Sequence, residues 1–169
     1  MFLVLEFCVV IFLLVCLFLG IKYTTLLFAK RNADKEFQNI DTELKKYYEV
    51  VKELFSHFSG LSVEDEKLAE DTQKLIAAAS DFSIEKDGNE RIIGYANSIL
   101  ENTKNFVDSI TAADAENMNV KQYKTYLQKF NREKEYYNKS AQYLRHYVDV
   151  FPTSLMARLK LIKTMDYLN

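Results

Sequence analysis

Few residues in this sequence have side chains that do chemistry, and they are not clustered. The two histidines, His57 and His146, lie on separate segments, and near each of them there are only ordinary surface residues at helical spacing. Zinc and di-iron sites need several such ligands together. Both cysteines, Cys8 and Cys16, lie in an apolar N-terminal segment, so the rest of the chain has no thiol for a disulfide, a metal site or a nucleophile.

Motifs of enzymes and nucleic-acid binders are also missing from the sequence. The acidic groups at 64–66 and 70–71 lack the Glu-x-x-His pattern of di-iron bundles. There is no Gly-rich phosphate loop and no G-x-S-x-G nucleophile elbow. The formal net charge is -2, and the basic residues alternate with acids instead of forming a basic stripe. We therefore expect a protein that is not an enzyme, holds no cofactor or metal, and does not bind nucleic acid.

The N-terminal segment predicts a transmembrane anchor over residues 1–21. Phe2 to Ile21 is a run of mainly apolar residues with one charge, Glu6, and about 20 such residues span the hydrocarbon core of a bilayer. A cleaved signal peptide is less favoured, because no Lys or Arg precedes Lys22 and no small-x-small cleavage site closes the run. The residues taken to mark the anchor are Phe2, Glu6, Phe7, Phe12, Leu17 and Ile21.

Charges next to the anchor predict its orientation. Lys22, Lys30, Arg31 and Lys35 all follow the apolar run, so the positive-inside rule places the remaining chain in the cytoplasm and the N-terminus outside. The opposite orientation, with the remaining chain on the extracytoplasmic side, is the alternative. Glu6 either reaches the membrane interface or is protonated in place, or it makes a polar contact with a partner helix.

The rest of the chain predicts long helices. The whole sequence has one Pro and four Gly, and beyond the anchor the apolar residues recur at alternating spacings of three and four, which is typical of helices packed nearly parallel. Breaks are expected at 59–60, 83–89, 111–118 and Pro152, and the anchor can continue into the first stripe as one rod of about 80 Å. We predict an all-α fold, in which residues 22–152 form an elongated antiparallel bundle of four to five helices with coiled-coil-like packing. Its predicted core residues are Phe37, Ile40, Leu44, Val51, Leu75, Ile99, Phe106, Leu127, Phe130, Tyr137, Leu144 and Phe151.

Tyrosines beside the last long stripe can bury their rings while their hydroxyls stay wet. They are Tyr126, Tyr136, Tyr143 and Tyr147, and a partner-binding surface is the alternative interpretation of the set.

Residues 153–169 predict a short amphipathic C-terminal helix. Leu155, Leu159, Ile162 and Met165 would form its apolar face, and it carries basic residues at 158, 160 and 163. We expect this helix to pack back on the bundle, with binding to a membrane surface as the alternative.

Two places in the chain carry a resemblance to a known family. The first is F-Q-N-I-D-T-E-L-K-K, which begins at Phe37 and has the pattern of an aromatic residue, then I-D, then a leucine and a basic residue. The second is a set of residues in fixed order near the C-terminus: Tyr137, Asn138, Phe151, Pro152 and Ala157. In both places the sequence resembles the LemA family, which are bacterial proteins with one N-terminal anchor and a helical bundle. It departs from the family pattern at 50–54, where a Pro-Asn pair is missing, and at 161–162, where Gly-Phe is replaced.

The resemblance implies a helical bundle at the bacterial inner membrane and carries over no catalytic residue. Family members are associated with membrane organisation and often neighbour membrane metalloproteases, so it suggests a protein of that class as a partner. Two functions fit the sequence. One is a non-enzymatic adaptor or scaffold that binds a partner membrane protein, and the other is a structural protein that organises membrane through homo-oligomerisation.

Overall fold

The computed structural model describes residues 2–57, 63–109 and 118–168, and it confirms the all-α prediction. Within those ranges the chain forms helices and no strand. The helices are α1 (Phe2–Ser56), α2 (Val63–Ser80), α3 (Ile84–Ser109), α4 (Met118–Asp149) and α5 (Thr153–Leu159). The chain divides into two compact units. The first unit is Met1–Lys35 with Lys139–Met165, and the second unit is Glu36–Asn138 with Asp166–Asn169.

Helix α1 is one continuous element of 55 residues, as the sequence predicted, and extends about 80 Å at the helical rise. Among the described residues it is the one helix long and apolar enough to cross a membrane, with a mean hydropathy of 2.4 over 18 residues. The predicted anchor side chains are exposed, at 56–67% for Phe7, Phe12, Leu17 and Ile21, and Glu6 is exposed as well. The side chain of Phe2 lies outside the described residues.

In the second unit, α2 and α3 pack against each other in opposite directions. The hydroxyl of Ser109, at the end of α3, donates to Oδ1 of Asp65 near the start of α2 at 2.7 Å. Near the other end of the pair, the rings of Phe82 and Tyr95 meet edge to face with centroids 4.8 Å apart. These contacts define an antiparallel helical hairpin.

Aromatic residues join α1 to α4 in the same unit. The ring centroids of Phe37 and Tyr137 are 5.8 Å apart, and those of Tyr47 and Tyr123 are 6.1 Å apart. Because later residues of α1 meet earlier residues of α4, the two helices are antiparallel here. Tyr47 also stacks on Phe130 with centroids 5.1 Å apart, so the centre of this pair is filled by aromatic rings.

Burial agrees with most of the predicted core positions. Nine of the twelve are at most 1% exposed: Phe37, Ile40, Leu44, Val51, Ile99, Phe106, Phe130, Tyr137 and Leu144. Leu75 and Leu127 are only half-buried, and Phe151 is 78% exposed. Burying these side chains removes apolar surface from water, which is the main favourable contribution to folding.

The three exceptions have separate physical causes. On α2 the buried position is Ile76, at 0% exposure, because a helix of 3.6 residues per turn drifts from a strict 3.5-residue pattern and moves Leu75 aside. Leu127 borders an open groove. Phe151 follows the end of α4 at Asp149, so the helical spacing that placed it in the core no longer applies there; its assignment to the core was wrong.

The break predicted at 83–89 appears as a kink at Gly88, whose φ of 72° and ψ of 164° are not helical. The amide of Ser83 donates to Oδ2 of Asp87 at 3.1 Å, and the amide of Asp87 donates to the carbonyl of Ser83 at 2.9 Å. The carboxylate thereby caps this short turn. Of the other three predicted breaks, two fall on or next to 58–62 and 110–117, which lie outside the described residues. The third, at Pro152, lies between the end of α4 at Asp149 and the start of α5 at Thr153.

The C-terminal segment is helical only to Leu159, so the prediction of a helix over 153–169 is wrong after that residue. Leu161 has a φ of 53°, and its amide donates to the carbonyl of Arg158 at 3.3 Å. The amide of Ile162 donates to the carbonyl of Ala157 at 2.9 Å. This pair of hydrogen bonds is a Schellman motif, which ends a helix and turns the chain away.

Candidate functional site

A groove of about 750 Å³ lies between α3 and α4 in the second unit. It is lined by apolar, amide and charged side chains from both helices. The lining residues are Asn97, Leu100, Glu101, Lys104, Val107, Asp108, Tyr123, Lys124, Leu127, Asn131 and Lys134.

Three of the lining residues are large and apolar. Leu100, Val107 and Leu127 are half-buried, so part of each side chain remains open to the groove. On α3, Leu100 and Val107 directly follow Ile99 and Phe106, which are fully buried. The helix therefore turns one row of side chains into the core and the adjacent row toward the groove.

Charged side chains also line the groove. Lys104 and Lys124 are exposed, whereas Lys134 is half-buried, and burial lowers the pKa of its ammonium group. Glu101 and Asp108 supply two negative charges on the α3 side. The exposed ammonium groups of Lys104 and Lys124 can attract acidic groups of an occupant.

Hydrogen bonds hold both ends of the groove in place. The Tyr123 hydroxyl lies 3.3 Å from that of Tyr47 on α1. At the other end, Nδ2 of Asn97 donates to the backbone carbonyl of Tyr167 at 3.0 Å. These contacts connect the groove walls to the core and to the C-terminal residues, so the groove is preformed.

Two residues that carry the family resemblance, Asn138 and the predicted core residue Tyr137, hold the C-terminal chain. The Tyr137 hydroxyl donates to the carbonyl of Asp166 at 2.6 Å. Nδ2 of Asn138 donates to the carbonyl of Leu168 at 2.7 Å, and the Leu168 amide donates to Oδ1 of Asn138 at 3.0 Å. The Asn138 side chain thus satisfies a backbone donor and a backbone acceptor at once. Of the other residues in that set, Pro152 and Ala157 are buried and Phe151 is exposed.

Of the four tyrosines predicted beside the stripe, Tyr126 has a structural contact in the second unit. Its hydroxyl lies 2.9 Å from Oε2 of Glu43 and 3.1 Å from the Glu43 carbonyl. Lys46 donates to the other oxygen of the carboxylate at 2.6 Å, and Lys129 lies 3.4 Å away. The hydrogen bond from Lys46 is the main cause of the lowered pKa of Glu43, and partial burial opposes it.

The other three tyrosines are more open. Tyr136, also in the second unit, is 52% exposed. In the first unit, Tyr143 is 44% exposed, and its hydroxyl lies 3.1 Å from that of Tyr147 while the two rings meet edge to face. The structure therefore pairs Tyr143 with Tyr147 and connects Tyr126 to α1.

Across residues 2–57, 63–109 and 118–168 there is no group of three or more His, Cys, Asp or Glu placed to hold a metal ion. The groove lining offers apolar contact, amides and both signs of charge. Sequence reasoning missed Leu100 and Val107, although their spacing of seven residues, one position after the core stripe of α3, was a usable signal.

Comparison with known proteins returns no relative: no family model, no curated protein and no solved structure matches this chain.

Proposed function

We propose that this chain is a non-enzymatic, membrane-anchored adaptor whose α3–α4 groove binds an amphipathic helix of a partner membrane protein. The apolar N-terminal part of α1 is the anchor. The observation that carries the binding proposal is that half-buried Leu100, Val107 and Leu127 line a groove together with exposed lysines.

The dimensions of the groove favour a helix as its occupant. Leu100 and Val107 lie seven residues apart on α3, which is about 10.5 Å along the helix axis. An amphipathic helix presents apolar side chains at i, i+3, i+4 and i+7 over the same length. Lys104 and Lys124 would pair with acidic residues on the flanks of that helix, which gives the contact its specificity.

The anchor is proposed to leave the rest of the chain in the cytoplasm. This orientation rests on Lys22, Lys30, Arg31 and Lys35, all of which follow the apolar segment. Labelling of a Ser98→Cys variant in intact cells with an impermeant maleimide tests it, since exposed Ser98 reacts only in an outward-facing bundle. That variant needs Cys8 and Cys16 replaced by Ala. Reaction at position 98 would show instead that the chain after the anchor lies on the extracytoplasmic side.

We propose, on the LemA resemblance, that the membrane is the bacterial inner membrane and that a membrane metalloprotease is one class of partner. Two of the residues that carry the resemblance, Tyr137 and Asn138, share a structural task in this chain, since both bind the backbone of the C-terminal residues. Holding the C-terminal backbone gives a physical reason for a tyrosine and an asparagine at these two adjacent positions.

The test is an affinity purification of the full-length protein in gentle detergent, with partners identified by mass spectrometry. Lys104→Glu and Lys124→Glu reverse two exposed charges of the groove and leave the core intact. We expect each to reduce recovery of a stoichiometric membrane partner. Lys67→Glu, on the exposed surface of α2, is the matched control and should recover the partner as the unaltered protein does.

Three results would count against the adaptor. Equal recovery with the groove and control variants would place the binding surface elsewhere, and Tyr136→Asp would then test the exposed tyrosine. Recovery of the chain alone, as a defined multimer in native-membrane crosslinking, would favour the self-assembling membrane organiser. A catalytic change in a recovered molecule that requires this chain would overturn the non-enzymatic assignment.

A further inference from the structure

The chain that follows α4 carries an uncovered apolar surface in the first unit. Its members are 45–84% exposed: Val150, Phe151, Leu155, Leu159 and Leu161. We call these five residues the C-terminal apolar face. A cluster of large exposed apolar side chains marks a surface that contacts something other than water.

The orientation of this face is fixed by packing on the other side of α5. Thr153 and Ala157 are 2% and 0% exposed, so they hold α5 against the rest of the unit. Leu155 lies two residues from each of them, about 200° around the helix, and therefore points away from that contact. Leu159 lies one turn further along on the same outward side.

The face lies next to the end of the apolar segment of α1. Nδ2 of Asn32 donates to the Ser140 hydroxyl at 3.1 Å. Leu26 and Ala29 precede Asn32 and are 0% exposed, and within this unit the chain after Lys139 is what can cover them. Helix α4 therefore runs from Ser140 back toward the N-terminal half of α1.

Because α1 and α4 rise by the same distance per residue, the contact between Asn32 and Ser140 also fixes the level at which α4 ends. Asp149 lies nine residues after Ser140, and Tyr23 lies nine residues before Asn32, so the end of α4 is level with Tyr23. Val150 and Phe151 leave α4 at this level, directly after the exposed apolar run that ends at Ile21.

Basic residues accompany the C-terminal apolar face. Arg158, Lys160 and Lys163 are all exposed and lie within or just beyond it. Long basic side chains beside exposed apolar ones are typical of segments that lie in the interface of a bilayer, where the apolar groups enter the acyl boundary and the cations meet lipid phosphates.

We infer that the C-terminal apolar face docks on the lipid bilayer that α1 crosses, with Arg158, Lys160 and Lys163 on the phosphates of anionic lipids. This inference rests on the proposed anchoring by α1. The anchor already holds the C-terminal segment at the membrane, so the effective concentration of the segment there is high. A contact with lipid that is weak by itself is therefore formed most of the time.

The test uses the full-length protein with Cys8 and Cys16 replaced by Ala, carrying one environment-sensitive fluorophore on an introduced thiol. Leu155→Cys reports on the face, Phe12→Cys on the anchor, and Ser98→Cys on an exposed position of α3. Each protein is reconstituted into vesicles of phosphatidylcholine and phosphatidylglycerol that contain either a headgroup-proximal or a deep doxyl lipid quencher. We expect strong loss of fluorescence at position 155 with the shallow quencher, loss at position 12 with the deep quencher, and no loss at position 98.

Each other result has a defined meaning. Quenching at position 12 with none at position 155 would overturn the docking while keeping the anchor. No quenching at position 12 would overturn the anchor itself. A blue shift at position 155 without quenching would also overturn the inference, since a protein surface, such as a second copy of the chain, would then cover the face. Replacing phosphatidylglycerol by phosphatidylcholine should reduce the quenching at position 155, and an unchanged value would contradict the assigned role of the three basic residues.

Discussion

The hydroxyls of Tyr47 on α1 and Tyr123 on α4 lie 3.3 Å apart inside the second unit. Their residues are 0% and 2% exposed, and burial raises the pKa of both phenols, so they remain neutral hydrogen-bonding groups. Thr103 on α3 is also fully buried, and its hydroxyl donates to the carbonyl of Ile99 on the same helix at 2.7 Å. The contact between the two tyrosine hydroxyls therefore joins α1 to α4 inside the core.

Removing both hydroxyls should lower the free energy of unfolding by less than the sum of the two single removals. Tyr47→Phe and Tyr123→Phe each leave the other buried hydroxyl without this partner, and we expect each to lower the free energy of unfolding by about 1 kcal/mol. The double variant should lose less than the sum, because no unpaired group remains in this pair. Denaturant unfolding in detergent micelles measures the cycle, with exposed Tyr136→Phe as the control. Strictly additive losses would contradict a direct contact between the two hydroxyls.

Helix positions and most of the core could be predicted from the sequence because heptad spacing reports directly on which helix face is apolar. Phe37, Leu44 and Phe130 lie in the middle of long helices, and all three are buried. The pattern does not report where a helix ends. Phe151 continues the spacing of α4, yet the helix has already ended at Asp149 and the side chain is exposed.

The groove could not be predicted in the same way, because it depends on the separation of two helices and not on the pattern within either. Leu100 and Val107 look like ordinary flanking positions of a core stripe, and their half-exposure results from how α3 packs beside α4. The end of α5 was missed for a local reason. Leu161 adopts a positive φ without the glycine that usually marks such a position.

Glu43 should make stability depend on acidic pH. The pKa of its carboxyl is lowered from 4.5, mainly by the hydrogen bond from Lys46, so its stabilising contribution is present above the unfolded pKa and is lost as the pH falls through the folded pKa. Glu43→Gln should lower the free energy of unfolding at neutral pH by about 1 kcal/mol. The difference between the two proteins should shrink as the pH falls below about 4.5.

The matched control for Glu43 is Glu49→Gln. Glu49 also pairs with a lysine, Lys52, at 2.7 Å, but its side chain is 67% exposed, and such pairs contribute little. Unfolding is measured over a pH series for all three proteins. A Glu43→Gln protein that follows the pH curve of the unaltered chain throughout would show that the carboxylate contributes no pH-dependent stability.

Asn138 should control the order of the C-terminal residues. Asn138→Ala removes both hydrogen bonds to the backbone of Leu168, while the buried side chains of Ile162, Met165 and Leu168 continue to hold the segment by apolar contact. We expect the amide of Leu168 to exchange with solvent about tenfold faster, which corresponds to about 1.4 kcal/mol of local stability. Hydrogen exchange measured by mass spectrometry on C-terminal peptides tests this. Asn131→Ala in the groove is the control, and equal exchange in the two variants would mean that Asn138 does not hold the tail.

Leu161 should be a position where glycine stabilises the protein. Its φ of 53° costs a residue with a Cβ atom about 1 kcal/mol, and its side chain is 84% exposed, so little packing is lost on truncation. Since glycine also gains freedom in the unfolded chain, the expected rise in the free energy of unfolding for Leu161→Gly is about 0.5 kcal/mol. Leu155→Gly is the matched control, because Leu155 is also exposed, at 56%, but lies inside α5, where glycine should lower stability by about 1 kcal/mol. Both are measured by chemical unfolding in detergent, where the bilayer contact of the C-terminal apolar face is absent. If both substitutions destabilise to the same extent, the positive φ at Leu161 is not what ends the helix.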